Sequence, residues 1–335
     1  MIWFPVKQPS IGLGVSANRL VLVEVSRAWR GRAVTVRRCE ERALPEGLVR
    51  PSPSQLNIKD VGALAAEVRA LLDTVPRRSR TFTSAVSLPD HCARVALLAF
   101  EAWPRKAAEA EALIRWRFQK ELNVGVGDTR IEYRMFPLPA QNPSGTVPGG
   151  GAPARVLALA VRRDILAQYE RVWEQAGILP VTVGVTSLQM FDLCRPAMER
   201  AMGAGGDVFF AHVNEESFAF LALRDRIPLY LRMKLVRNGA GHSMAAKVDE
   251  MLATLQFYFE RFPASGEDRL QRGRPLFLAG APSDFPGVPL ADAEALGVAP
   301  VPIGWKELGV TRKPTGADGP PPGLASALSA VLAGV

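Results

Sequence analysis

Cysteine and histidine are scarce, with three of each in 335 residues. Cys39, Cys92 and Cys194 lie far apart with no C-x-x-C pair, and His91, His212 and His242 are as scattered. That spacing excludes a disulfide framework and a Cys/His metal site, and it fits a reduced compartment. Long apolar runs are missing too. No stretch reaches the roughly eighteen residues of a membrane-spanning helix. The start, MIWFPVKQPS, has no charged segment followed by an apolar core, so no secretory signal is read. Gly323 to Val335 is short and rich in alanine and serine, and reads as a packed helix. There is no run of five bases either. The net charge of +8 comes mostly from scattered arginines. It reads as a solvated basic surface that tolerates acidic partners such as an anionic membrane face, without a nucleic-acid tract.

What is present is apolar content, 48% of the residues, in a chain long enough for two domains. The chain is organised around Ile11 to Val25, IGLGVSANRLVLVEV. Ile11, Leu13 and Val15 alternate with glycines, Ser16, Ala17 and Asn18 turn the chain, and Leu20 to Val25 follow as a strand buried on both faces. Such a turn either offers backbone N–H groups to a phosphate or is a tight hairpin turn. Gly12, Gly14 and Ala17 also fit G-x-G-x-x-A. That dinucleotide fingerprint needs a helix directly after the turn, and the valine-rich stretch after it is a strand.

Taken in order, the pattern predicts a third strand over Ala33–Arg38 and a helix over Val61–Thr74 capped by Asp60. A strand follows over Phe82–Leu88. A different unit comes next: strand Arg94–Phe100, helix Pro104–Leu122, strand Thr129–Leu138, a low-complexity loop Pro139–Pro153, strand Arg155–Val161, and helix Asp164–Ala176 ended by Gly177. Leu179–Val185 then returns as a central-type strand, and Ser187 is positioned to cap the next helix. The second half repeats the first. Strands Val208–Val213, Ser217–Leu223 and Ile227–Leu235 precede a helix that Ser243 caps and that runs to Phe262, then strand Leu276–Leu278. Two copies of one unit predict two facing β-turns across a cleft.

This duplicated ββαβ order resembles the actin-like ATPase fold. More closely, the chain resembles the PilM family, the cytoplasmic actin-like component of the type IV pilus assembly platform. The resemblance is carried by IGLGVSANRLVLVEV at Ile11, SAVSLPDHCARVALLAFEAWP at Ser84, EALIRWRFQKELNV at Glu111 and DTRIEYRMFPLP at Asp128. VLALAVRRDILAQYERVWEQAGILPVTVGVTS at Val156 and MLATLQFYFERF at Met251 continue it. It implies an α/β chain of two actin-like (ribonuclease-H-like) subdomains. Residues 8–88 with 178–205 form the first, 89–177 an inserted α+β subdomain of the kind FtsA and PilM share, and 206–335 the second half, helical at about 236–270.

The resemblance places a nucleotide site on Gly12, Gly14, Ser16, Asn18, Gly184, His212, Asn214, Ser217 and Gly280, and these depart from the family pattern. The family's I-G-I-D-I-G-S-S has its aspartate at Gly14 and its second glycine at Ser16. Its D-I-G is His212-Val213-Asn214 followed by Glu215 and Glu216, its D-V-E is Gly184-Val185-Thr186, and its G-G-G is Ala279-Gly280-Ala281-Pro282. Actin-like hydrolysis needs carboxylates for Mg²⁺ and for the attacking water, and three such positions are gone. The expectation is a degenerate ATPase, with no metal, no catalytic residue and no cofactor, and with His212 a hydrogen-bonded core histidine. ATP with Mg²⁺, held by carboxylates from other positions, is the alternative, as are a GspL-like secretion component and an FtsA-like scaffold. The implied role is a cytoplasmic adaptor, peripheral at the inner membrane. It binds the N-terminal peptide of a PilN-like bitopic protein, together with other platform components, in a groove between the first subdomain and the insert. Arg94, Trp103, Arg115, Trp116 and Phe118 are the expected contacts. The family's I-P-F-P after the helix is Val124-Gly125-Val126-Gly127.

Overall fold

A computed structural model describes residues 9–27, 34–75, 82–122, 128–138, 152–202, 206–214, 217–235, 244–263, 273–279, 291–304, 308, 310–312 and 322–332. The opening alternation forms the expected hairpin of β1 (Ile11–Val15) and β2 (Arg19–Arg27), with Ile11 opposite Glu24 and Val15 opposite Leu20. Every residue of β1 is buried. β3 (Val34–Ala43) runs past the Arg38 that alternation suggests, because its ladder to β2 continues through a polar second half as far as Arg19. Asp60 caps α1 (Val61–Leu72) by accepting the Ala63 N–H, and β4 (Phe82–Leu88) lies parallel to β1.

The duplication is present. β9 (Asp207–Val213), β10 (Ser217–Arg224), β11 (Ile227–Leu235), α5 (Met244–Arg261) and β12 (Arg274–Ala279) repeat β1, β2, β3, α1 and β4. One sheet contains the order β3-β2-β1-β4 and the other β11-β10-β9-β12, with antiparallel pairs in the first three strands and a parallel fourth. Beyond its fourth strand each sheet gains one more parallel strand. β8 (Ile178–Val185) joins β4, and β13 (Val298–Pro302), which follows the short α6 (Ala291–Ala295), joins β12.

The inserted unit holds β5 (Arg94–Phe100), α2 (Ala107–Leu122), β6 (Thr129–Pro137) and β7 (Ala154–Arg162), its antiparallel sheet ordered β5-β7-β6. Ile114 and Phe118 of α2 pack on one face of that sheet against Leu98, Phe100, Ile131, Val156 and Ala158. α3 (Arg163–Ala176) follows and ends at Gly177, whose φ is +75°. Its apolar stripe, Ile165, Tyr169, Val172 and Trp173, packs into the core of the first sheet.

Three expectations need correction. β8 is not a central strand: with β14 (Val310–Arg312) at the far edge, it ends the six-stranded sheet β14-β3-β2-β1-β4-β8, and Leu179, Val181 and Val183 are 54%, 37% and 45% exposed. Its apolar residues mimic a buried strand although no described strand lies beyond it. Ser187 does not cap α4 (Thr186–Ala201), whose N-cap is Val185, because its hydroxyl is engaged by Asp90. The end of the 206–335 segment returns to the first half. β14 (Val310–Arg312) pairs with β3, and Ala327, Leu328 and Val331 of α7 (Pro322–Leu332) share a core with Val21, Val23 and Ala85 of the first sheet. This return explains the glycines of β1. A Cβ at Gly12 would overlap the Ala327 carbonyl oxygen, and one at Gly14 the Ser326 hydroxyl. Ser243 and Val124–Gly127 lie outside the described residues.

Candidate functional site

Two concavities result. The first is the cleft between the facing β1–β2 and β9–β10 turns. The β1–β2 turn satisfies itself: the Ser16 N–H donates to the Arg19 carbonyl at 3.0 Å, the Arg19 N–H to Ser16 Oγ at 3.2 Å, and Ser16 Oγ to Asn18 Oδ1 at 2.9 Å. The Ser16 amide is thus spent inside a tight hairpin turn. The β9–β10 turn is closed in the same way. The Ser217 N–H donates to Asn214 Oδ1 at 2.7 Å, and Lys247 Nζ donates to the Asn214 carbonyl at 2.7 Å.

Between the turns sits Asp90, buried in a 3-10 turn directly after β4. Its Oδ1 accepts the Ser187 N–H at 2.7 Å. Its Oδ2 accepts the hydroxyls of Ser187 at 2.6 Å and Ser217 at 2.8 Å, with Asn214 Nδ2 at 3.4 Å. Ser187 Oγ is also 2.7 Å from His212 Nδ1. One hydroxyl proton cannot serve both neighbours. With it directed to the carboxylate, the ring must donate, so His212 carries its proton on Nδ1 and the relay runs His212 to Ser187 to Asp90. His212 is 2% exposed, and burial holds its pKa below the usual histidine value against the opposing pull of Asp90. It is the hydrogen-bonded core histidine expected. Although Asp, Ser and His meet, the serine lies between the other two, fully buried and already donating, so this is not a nucleophile with its base.

The described residues of the cleft leave about 50 Å³. That is room for a few waters, far below the ~300–1,000 Å³ of small-molecule sites. A carboxylate, Asp90, is among the residues that line this space. Gly14, Ser16, His212, Asn214 and Ser217 line it. Gly12 lies beneath α7, and Asn18 belongs to its own turn. An added Cβ at Gly184 would meet the Gln189 side chain at 2.7–2.8 Å, and Gly184 lines the other concavity. Gly280, Glu215 and Glu216 lie outside the described residues. Sequence reasoning missed Asp90, whose one signal is its place after Pro89 at the end of a strand, and it read Ser187 as a cap.

The second concavity is a groove of about 740 Å³ between β8, α3 and α4 on one side and the open face of the inserted sheet on the other. Leu157, Leu159 and Val161 of β7 point into it beside Arg130, Glu132 and Arg134 of β6. Strand alternation puts these residues opposite the face that α2 covers. Arg134 pairs with Asp192 of α4 across the groove, and Arg130 pairs with Glu132 at 2.6 Å. The five expected partner contacts are not among the lining residues, because α2 sits on the far side of its sheet. Phe118 is core, and Trp103 packs between Phe100 and Tyr133 at 5.2 and 5.6 Å. Arg115 pairs with Glu111 at 2.8 Å, and Arg94 is exposed at the start of β5. Trp116 is 49% exposed, with Lys120 Nζ 4.7 Å from its ring centre.

No protein-family model and no curated protein sequence matches the chain. Among solved structures, it is similar to a PilM–PilN type IV pilus biogenesis complex, with 20% identity, a TM-score of 0.68, and 98% of each chain covered. The chain has the actin-like fold of PilM. It is also similar to the ethanolamine utilization protein EutJ from Carboxydothermus hydrogenoformans, with 12% identity, a TM-score of 0.47, and 99% of this chain and 91% of that one covered. The cytoplasmic domain of EpsL, an inner membrane component of the type II secretion system of Vibrio cholerae, is 11% identical with a TM-score of 0.41 over 80% of each chain. At these identities the likeness is one of fold. In the PilM fold of this chain, both turns that face the cleft are present, and Asp90 occupies the space between them. No described helix is long and apolar enough to cross a membrane.

Proposed function

We propose that this protein is a cytoplasmic structural adaptor of a type IV pilus or related type II secretion platform, peripheral at the inner membrane. It binds the cytoplasmic N-terminal peptide of a PilN-like bitopic protein and acts without ATP hydrolysis. The observation that carries this reading is the contrast between the two concavities in one PilM fold. The cleft is filled by a buried carboxylate and its donors, whereas the groove between the first sheet and the insert offers about 740 Å³ with an apolar floor. A groove of that size suits a short peptide. The partner contacts accordingly belong on Leu157, Leu159, Val183 and Leu188 rather than on α2. The test is a calorimetric titration of the purified chain with the cytoplasmic N-terminal peptide of a PilN-like bitopic protein. Saturable binding in the micromolar range is expected, and no heat at hundreds of micromolar peptide would sink the reading.

A further inference from the structure

We propose that Asp90 is a built-in clasp: its carboxylate bridges the two halves from within the chain, so that their closed arrangement needs no ligand. This goes beyond the adaptor reading and does not depend on what the groove binds. The halves meet at α4. Its Met190, Phe191 and Cys194 share one core with Val21 and Val23 of the first sheet and with Val208, Phe210 and Leu221 of the second. A change in the angle between the sheets therefore pivots at this helix, and a bond at its first turn controls that angle.

Asp90 makes that bond. The N-cap of α4, Val185, has no side-chain acceptor to offer the first turn. The acceptor comes instead from 97 residues earlier in the chain, where Asp90 Oδ1 takes the Ser187 N–H at 2.7 Å. A carboxylate there also faces the positive end of the helix. The other oxygen reaches the second half. Oδ2 accepts the Ser217 hydroxyl at 2.8 Å and Asn214 Nδ2 at 3.4 Å, beside the Ser187 hydroxyl at 2.6 Å. Asn214 divides its side chain between two tasks. Its Oδ1 closes its own turn by accepting the Ser217 N–H at 2.7 Å, which leaves Nδ2 to cross to Asp90 and fixes the amide's orientation. Lys247 Nζ steadies the same turn through the Asn214 carbonyl. Asp90 is 4% exposed, and no cation pairs with it among the described residues. A buried carboxylate without a counter-ion is held by its hydrogen bonds alone, and two of these donors belong to α4 and two to the second half. Opening the cleft would strip the carboxylate of half of them.

The test is chemical rescue of the full chain. Asp90→Ala keeps the donors and removes the carboxylate, so a small carboxylate from solution can replace it. Sodium formate at about 100 mM should raise the melting midpoint of this variant by about 2 °C over sodium chloride at equal ionic strength, and should give the wild type no such rise. No formate-specific rise overturns the clasp. Amide hydrogen exchange separates a clasp from a simple helix cap. Exchange should rise about tenfold in Asp90→Ala both at Ser187 and at Ser217 in the other half, and formate should slow both. A rise at Ser187 alone overturns the bridging role. Should Asp90→Ala fail to fold, Asp90→Asn and Ser217→Ala decide the matter. Ser217→Ala should lower the midpoint less in Asp90→Asn than in the wild type, since both changes weaken the same bond. Equal losses in the two backgrounds overturn the proposal.

Discussion

In the cleft, one carboxylate collects hydrogen bonds from Ser187, Ser217 and Asn214. The groove instead is lined by apolar side chains, Leu157, Leu159, Val183 and Leu188 among them, and Val183 on the edge strand is 45% exposed. The two sites share α4. Its first residues are tied to Asp90, and its next turns, Leu188 to Asp192, line the groove. A buried charge is tolerated only when it is well hydrogen-bonded, so the cleft is built as a joint between the two halves. An open groove with an apolar lining is the kind of surface that another chain covers.

The largest effect should come from breaking the joint. Asp90→Ala leaves the Ser187 N–H and the Ser187 and Ser217 hydroxyls buried without their acceptor, and should cost about 3 kcal/mol or more. Urea denaturation measures this. A loss under about 1 kcal/mol would mean that the cleft is not a joint at all. The counterpart in the groove is Val183→Arg. At 45% exposure the valine contributes little to folding, so stability should change by no more than about 0.5 kcal/mol. Peptide affinity should fall at least about tenfold, since a charge would enter apolar surface. If instead this variant unfolds while Asp90→Ala is silent, the assignment of the two concavities is reversed.

How much of this contrast was legible in the sequence differs by region. The strands of both halves and their order were readable because β-branched runs bounded by turn residues recur in the same sequence twice. The edge position of β8 was not, since Leu179, Val181 and Val183 have the composition of a covered strand, and only the sheet order reveals that nothing described covers them. Nor was the return of α7 onto β1. Gly12 and Gly14 suggested a phosphate loop, yet what they admit is the backbone and side chains of another helix, which contributes from more than three hundred residues away. Asp90 is one of 33 acidic residues, and its partners come from two segments about a hundred residues downstream, a distance at which no local pattern marks it. Phe118 and Trp103 were expected at an interface because aromatics are favoured there, but the same residues are equally the natural core of a small sheet-and-helix layer.

A smaller effect separates the sites by pH. Burial holds the pKa of His212 below its ordinary value, and that of His91 likewise. The unfolded chain takes up these protons near pH 6.5, the folded chain only at lower pH. Stability is therefore present above about pH 6.5 and is lost as pH falls toward the folded values, by up to about 1.4 kcal/mol per pH unit for each histidine. His212→Gln should roughly halve the slope of stability between about pH 6.5 and 5.5. Peptide affinity, which depends on no histidine of the groove wall, should stay flat over the same range. An unchanged slope in His212→Gln would show that burial does not hold the ring neutral.

The smallest expected effect is none, and it bears on the cleft alone. A ligand that binds only the native state at a hundred times its dissociation constant adds about 2.7 kcal/mol, a shift readily seen by thermal melting. ATP with Mg²⁺ at millimolar concentration should produce no such shift. The space of about 50 Å³ is too small for a triphosphate. Widening it means separating two turns that each close on themselves and pulling Ser217 away from Asp90. A phosphate brought within about 4 Å of that carboxylate would meet a repulsion on the order of 4 kcal/mol at an effective dielectric near 20. Gly14, where the family pattern has aspartate, cannot regain one without displacing Ser326 of α7. A melting shift specific to ATP, absent with Mg²⁺ alone and with inorganic phosphate, would show that the halves open far enough to admit nucleotide. Its persistence in Asp90→Ala at the same size would show that the carboxylate plays no part in keeping nucleotide out.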